Sequence, residues 1–86
     1  MKWYRMAADQ GDPNSQLFLG LMYDSGHGVP QDYIQAHKWF NLAAAGFTDT
    51  NRRNSAIENR ERVAARMTPA QIAEAQKLAR EWKLER

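Results

Sequence analysis

The chain has 86 residues, a net charge of +2 and no cysteine, so it is one small domain or a fragment of a larger protein, and no disulfide supports it. The net charge is too small to argue for any partner, although the part from residue 52 onward is mildly basic. No apolar run approaches the ~20 residues of a membrane span, and no signal peptide is visible, which leaves the cytoplasm as the default expectation.

The spacing of apolar residues predicts five helices and no strands. The expected helices cover residues 1–10, 13–25, 31 or 32 to 45, about 50–66, and 69–84. Asp12 and Pro13 are typical of an N-cap and a first helical position, and Thr68 with Gln71 matches a capping box. The loop after residue 25 contains Gly26 and Gly28, which can adopt left-handed backbone angles.

The second helix has apolar residues on two opposite faces. One face carries Ser15, Gln16, Leu19, Gly20 and Tyr23. The other face carries Asn14, Leu17, Phe18 and Leu21, with Met22 at the border. A glycine inside a helix costs about 1 kcal/mol relative to alanine, so we expect another helix to approach closely at Gly20.

The third and fourth helices each present one apolar stripe. The inner face of the third contains Ala36, Trp39, Phe40, Ala43 and Ala44. Arg60 interrupts the stripe of the fourth helix, and we expect its stem to pack there while its guanidinium reaches an acid or a carbonyl. Short connections make neighbouring helices antiparallel.

Two segments repeat at an offset of 36 residues: Trp3–Ala8 reads WYRMAA and Trp39–Ala44 reads WFNLAA. A glycine follows each segment, at Gly11 and at Gly46. A period of this size built from helix pairs is typical of an α-solenoid, in which neighbouring pairs bury the apolar face that one pair leaves open.

One ordered set of residues resembles a complete Sel-one-like repeat, a relative of the tetratricopeptide repeats. The matching positions are Leu19, Gly20, Tyr23, Gly26, Gly28, Val29, Asp32, Ala36, Trp39, Ala43, Ala44 and Gly46. Ser15 departs from the usual alanine of that pattern. Residues 1–11 resemble the second half of a preceding repeat, residues 12–46 the full repeat, and residues 47–86 the capping helices of bacterial members.

This resemblance implies an all-α fold, a short right-handed α-solenoid, that serves as a protein-interaction scaffold without catalysis. In such solenoids the first helix of each pair lines a concave groove, which would hold a protein or peptide. The groove residues implied are Asn14, Leu17, Phe18, Leu21 and Met22. Phe18 is the favoured contact, because an aromatic group in a pocket is a common interface anchor. Alternatively, Phe18 and Met22 fill the core against the terminal helices.

The first helix lacks a partner from its own repeat, so its face would remain partly uncovered. That face carries Trp3, Met6 and Ala7. Solenoid ends need a polar cap, and none is visible here. We therefore expect this edge to pack against a second copy, giving a homo-oligomer, or against upstream repeats.

The sequence contains no clear motif for catalysis or for metal binding. His27 and His37 are predicted to be exposed, no zinc-binding spacing occurs, and no catalytic, metal or cofactor site is expected. The basic residues of the fourth helix are the alternative binding feature, for nucleic acid: Arg52, Arg53, Arg60, Arg62 and Arg66. Acidic neighbours dilute this patch, which makes nucleic acid the weaker hypothesis. The third hypothesis is that the chain serves only as the structural end of a solenoid.

Overall fold

A computed structural model of the protein describes residues 2–84, and that range contains five helices and no strand. The helices are α1 Lys2–Asp9, α2 Pro13–Ser25, α3 Tyr33–Gly46, α4 Thr50–Ala64 and α5 Pro69–Leu84. The prediction of an all-α fold is confirmed, and α2 and α5 have the predicted bounds. The first residue of the predicted first helix, Met1, and the last two of the predicted cap, 85 and 86, lie outside the described residues.

Local side-chain chemistry sets where the helices begin. Asp12, Asp32 and Asp49 are N-caps whose carboxylates accept hydrogen bonds from amides of the following turn, at 3.0 to 3.2 Å. At α5 the Gln71 amide donates to the Thr68 hydroxyl at 3.1 Å, and the Thr68 amide donates back to the Gln71 side chain at 2.9 Å. The predicted capping box is therefore confirmed.

Glycines set the turn between α2 and α3. Gly26 and Gly28 both have φ of +79°, in the left-handed region that the sequence predicts for them. The Gly26 amide donates to the Met22 carbonyl at 2.8 Å, and the Asp32 amide reaches back to the Tyr23 carbonyl at 2.9 Å. These bonds bring α3 back alongside α2 in the opposite direction.

The third helix is the centre of the molecule, because α2, α4 and α5 all pack against it while α1 packs on α2. Its Trp39 contacts a cluster that includes Leu19 of α2 and Ala79 of α5. On another face, Phe40 packs with Val63 of α4. Consecutive helices run antiparallel, so α5 runs parallel to α3 and α4 runs parallel to α2.

The expected close approach occurs where α2 crosses α3. A Cβ atom placed on Gly20 would lie 2.6 Å from both Cδ1 and Cε1 of the Phe40 ring. Only a residue without a side chain allows this spacing. The cost of glycine inside α2 is thus offset by tight packing between the two helices.

Arg60 lies as predicted within the apolar stripe of α4. Its Nη1 donates to the Asn41 side-chain carbonyl at 3.0 Å, and its Nε donates to Glu61 at 3.1 Å. The guanidinium therefore ties α4 to α3.

The prediction that His37 lies on the surface is wrong, because only 3% of the residue is exposed. It lies on the side of α3 that faces the returning helix α5, where Ile72 and Gln76 line the same space. The sequence around His37 looks like an exposed helix face, and the fold of α5 onto α3 covers it. His27, in contrast, is exposed in the glycine loop as predicted.

Candidate functional site

The outer face of α2, formed by Asn14, Phe18 and Leu21, is exposed to solvent. Phe18 is 41% exposed and Leu21 is 40% exposed, which is unusual for side chains of this size in a small domain. The other two predicted groove residues lie deeper. Leu17 packs against two of the buried clusters that join α3 and α4, and Met22 is half-buried beside Gly28.

An aromatic stack extends the outer face of α2 onto α1. The rings of Tyr4 and Phe18 lie 4.2 Å apart, centroid to centroid, with an angle of 12° between their planes. The stack holds Phe18 in one position while leaving it open to solvent. Tyr4 was not among the predicted groove residues, although its place one repeat before Phe40 marked it as an aromatic contact position.

One face of α4 is polar. It carries Arg52, Ser55, Asn59 and Arg62, which share one side of the helix by their spacing. Arg62 pairs with Asp24 at the C-terminal end of α2, and its other nitrogen donates to Asn59 at 2.7 Å. The ion pair links the C-terminal ends of α2 and α4.

Four of the five arginines considered for nucleic-acid binding make contacts within the chain. Arg52 lies 3.6 Å from Asp49, and Arg60 and Arg62 bind the partners described above. Arg66 donates to the Tyr33 hydroxyl at 3.2 Å, and this hydrogen bond lowers the pKa of Tyr33. Internal partners of this kind reduce the number of N–H donors that remain to contact phosphates.

The predicted self-association edge on α1 is also exposed. Trp3 is 80% exposed and Met6 is 47% exposed, while Ala7 is half-buried. Exposed apolar side chains gathered on one short helix are typical of a surface that another molecule covers.

A second concave feature lies between α3, α4 and α5. It is a cavity of about 280 Å³. Its lining consists of His37, Asn41, Arg60, Glu61, Ala64, Ile72 and Gln76. Burial and, next in size, the positive charge of Arg60 lower the pKa of His37, so the imidazole is neutral near pH 7.

The lowered pKa of His37 makes stability depend on pH. The unfolded chain takes up a proton at the ordinary pKa of about 6.5, whereas the folded protein resists that proton to lower pH. The free energy of unfolding should therefore be highest above about pH 6.5 and fall as the pH drops below it. Urea unfolding measures the free energy of unfolding at about pH 7.5 and at about pH 5. Its decrease between these two values should be smaller for His37→Gln than for the native chain.

The exposed His27 provides the matched control for this measurement. Its Nδ1 lies 3.0 Å from the Ser25 hydroxyl, in a loop open to water. A His27→Gln variant should keep the pH dependence of the native chain. If His27→Gln removed as much of the dependence as His37→Gln, the burial of His37 would not be its source.

Two kinds of site are not found among residues 2–84. None of the helices there is both long and apolar enough to cross a membrane. Nor do any three histidine, aspartate or glutamate side chains in that range lie together as metal ligands would.

Comparison with known proteins places the chain in a family. The family model of the Sel1 repeat matches residues 1–12 and 13–46, which together make up more than half of the chain. No curated protein and no solved structure matches the chain significantly. Sel1 repeats generally mediate protein–protein interaction and form a non-catalytic module. With its five helices and the Gly20 crossing, this chain belongs to the Sel1 repeat family.

Proposed function

We propose that the protein binds a segment of another protein on the outer face of α2, with the Phe18 ring as the anchor. The observation that carries this proposal is the exposed, stacked position of Phe18 against Tyr4. A ring already held in place loses little conformational entropy when a partner covers it. Aromatic anchors of this kind dominate the binding energy of many interfaces.

Two arginines of α4 indicate the chemistry of the partner. Arg52 pairs with Asp49 and Arg62 with Asp24, but their side chains remain 61% and 52% exposed, so each keeps N–H donors that its internal partner does not use. Carboxylates of a bound segment would meet them at the edge of the apolar contact. The proposed ligand is therefore a peptide segment with an apolar or aromatic residue flanked by aspartate or glutamate.

A selection from a displayed random peptide library tests this proposal on the whole chain. We expect the recovered peptides to share an apolar residue with acidic neighbours. Phe18→Glu should weaken their binding at least about tenfold, since it removes the anchor and adds a like charge. Fluorescence anisotropy with a labelled peptide measures the loss.

Leu84→Glu is the matched control, because Leu84 is an equally apolar and even more exposed residue at the end of α5. It should leave peptide affinity unchanged. Arg52→Glu should weaken binding of the acidic peptides and reduce its salt dependence. Equal affinity for the native chain and Phe18→Glu, or peptides without acidic residues, would contradict the proposed site.

We further propose that the α1 edge pairs with the same edge of a second copy. Three of the six exposed large apolar residues among those described lie on α1, namely Trp3, Tyr4 and Met6. Apart from Leu84 at its end, the exposed surface of α5 carries polar and charged residues such as Lys77 and Arg80, so it offers little apolar complement. Helices α4 and α5 then cap the opposite end of the repeat.

Sedimentation velocity over a range of concentrations tests the pairing. The native chain should show a reversible monomer–dimer equilibrium. Trp3→Arg should raise the dissociation constant of the dimer at least about tenfold, because it places a charge in the contact. Leu84→Arg adds the same charge elsewhere and should leave the equilibrium unchanged. A native chain that stays monomeric at the highest concentration would rule out this contact.

A further inference from the structure

The cavity between α3, α4 and α5 lies apart from the outer face of α2. It has a volume of about 280 Å³, just below the range of about 300–1,000 Å³ typical for sites of drug-sized ligands. It is also several times the roughly 30 Å³ that one water molecule takes up in the liquid. The space therefore suits a small organic molecule.

One buried polar group at this cavity has no partner. His37 is 97% buried, and its Nδ1 atom makes no hydrogen bond among the described residues. The Nδ1 atom is enclosed by the protein, so a ligand in the cavity would meet the other edge of the imidazole ring. The neutral imidazole can carry its proton on Nε2, so that edge can donate a hydrogen bond to an acceptor.

Arg60 supplies a charge beside His37. Its side chain is 26% exposed, and its Nε and Nη1 atoms bind Glu61 and Asn41. The Nη2 group makes no hydrogen bond within the described residues, which leaves two N–H donors for a ligand. The guanidinium is thus already oriented by α3 and α4 before a ligand binds.

The carboxylate in the lining does not cancel this positive charge. The Glu61 side chain is 64% exposed, so water screens it more than it screens Arg60. At the His37 ring, Arg60 lowers the pKa by more than Glu61 raises it, after the larger effect of burial. The electrostatic potential inside the cavity therefore favours an anion.

The remaining walls are partly apolar. Ala64 of α4 and Ile72 of α5 face the same space, and Gln76 lies at its exposed rim. We infer that the cavity binds a small aliphatic carboxylate, with its carboxylate on Arg60 and His37 and its short chain against Ala64 and Ile72. This site is independent of the proposed peptide-binding surface.

The inference is tested by titrating the native chain with butyrate at constant ionic strength. The NMR signal of the His37 Cε1–H group monitors the titration. We expect a saturable shift with butyrate and none with butyramide, which has the same shape without the charge. Bound carboxylate stabilises the imidazolium, so it should raise the pKa of His37 and bind more tightly as the pH falls toward that pKa.

Variants separate recognition from non-specific binding. Arg60→Gln should weaken butyrate binding at least about tenfold, because hydrogen bonds to charged groups contribute most. Gln76→Glu keeps the interior intact, adds a negative charge at the exposed rim and should also weaken it. The matched control is Arg53→Gln, on an exposed part of α4 outside the cavity, which should bind like the native chain.

Three results would overturn the inference: a shift that does not saturate, an equal response to butyramide, or undiminished binding by Gln76→Glu. The Gln76→Glu result does not depend on Arg60, so it remains informative if Arg60→Gln fails to fold. None of these outcomes bears on Phe18, and the peptide-binding proposal is tested separately.

Discussion

Replacing Trp39 by alanine should remove most of the free energy of unfolding of the protein. Trp39 is 2% exposed and joins α3 to α1, α2 and α5 through its cluster. Its ring meets the Trp82 ring edge-on, with centroids 6.3 Å apart. Removing a buried tryptophan costs about 3–5 kcal/mol through lost burial and the cavity left behind. A domain of this size has a total stability at the low end of about 5–15 kcal/mol.

Circular dichroism during heating and in urea measures this loss. A cost of that size should lower Tm by roughly 12–40 °C in a domain of 60–100 residues. Trp3→Ala is a matched control, because Trp3 occupies the equivalent place one repeat earlier and is 80% exposed. It should change the free energy of unfolding by no more than about 0.5 kcal/mol. Equal losses in the two variants would contradict the packing described for α3.

Replacing Gly20 by leucine should also destabilise the protein. A side chain there would collide with the fully buried Phe40 ring, whose nearest atoms lie 2.6 Å from the Cβ position. Overpacking of a tight core typically costs about 1–3 kcal/mol and occasionally more. Leucine gains about 0.8 kcal/mol in helix propensity over glycine, which offsets only part of that cost. We expect a net loss of about 1–2 kcal/mol in the free energy of unfolding, measured by urea unfolding.

A double-mutant cycle shows whether the clash is the cause. Phe40→Ala alone removes a buried ring and should cost about 3–5 kcal/mol. In the double variant the new leucine can occupy part of the space that the ring leaves. The double variant should therefore be more stable than the sum of the two single losses predicts, by at least about 1 kcal/mol. Simple additivity would mean that the two residues do not compete for the same space.

Sequence reasoning predicted part of the proposed peptide-binding surface on α2. Phe18 and Leu21 were predicted on the outer face of α2 from helical periodicity and the resemblance, and both are exposed there. Whether they bind a partner stays a prediction. Periodicity divides a helix into faces, but it does not say which neighbouring side chain will stack on one of them. The contact of Tyr4 with Phe18 depends on the angle at which α1 packs on α2.

His37 shows the limit of the same reasoning on α3. By sequence it belongs to the polar side of that helix, and the returning α5 buries it. Leu17 is a similar case, because it lies on the predicted groove face yet contacts the buried clusters between α3 and α4. A helix that packs against several others has no single buried stripe. Dividing such a helix into one apolar and one polar face therefore underestimates how many of its residues are buried.

The sequence by itself determined the five helices, most of their ends and the family. Those features depend on interactions within about four residues, such as an aspartate N-cap or a left-handed glycine, and on the ordered repeat positions. Only the tertiary structure decided the burial of His37, the stacking of Tyr4 on Phe18, and the cavity beside Arg60. Each of these requires side chains from helices distant in the chain, and their meeting is set by how the helices pack rather than by local preference.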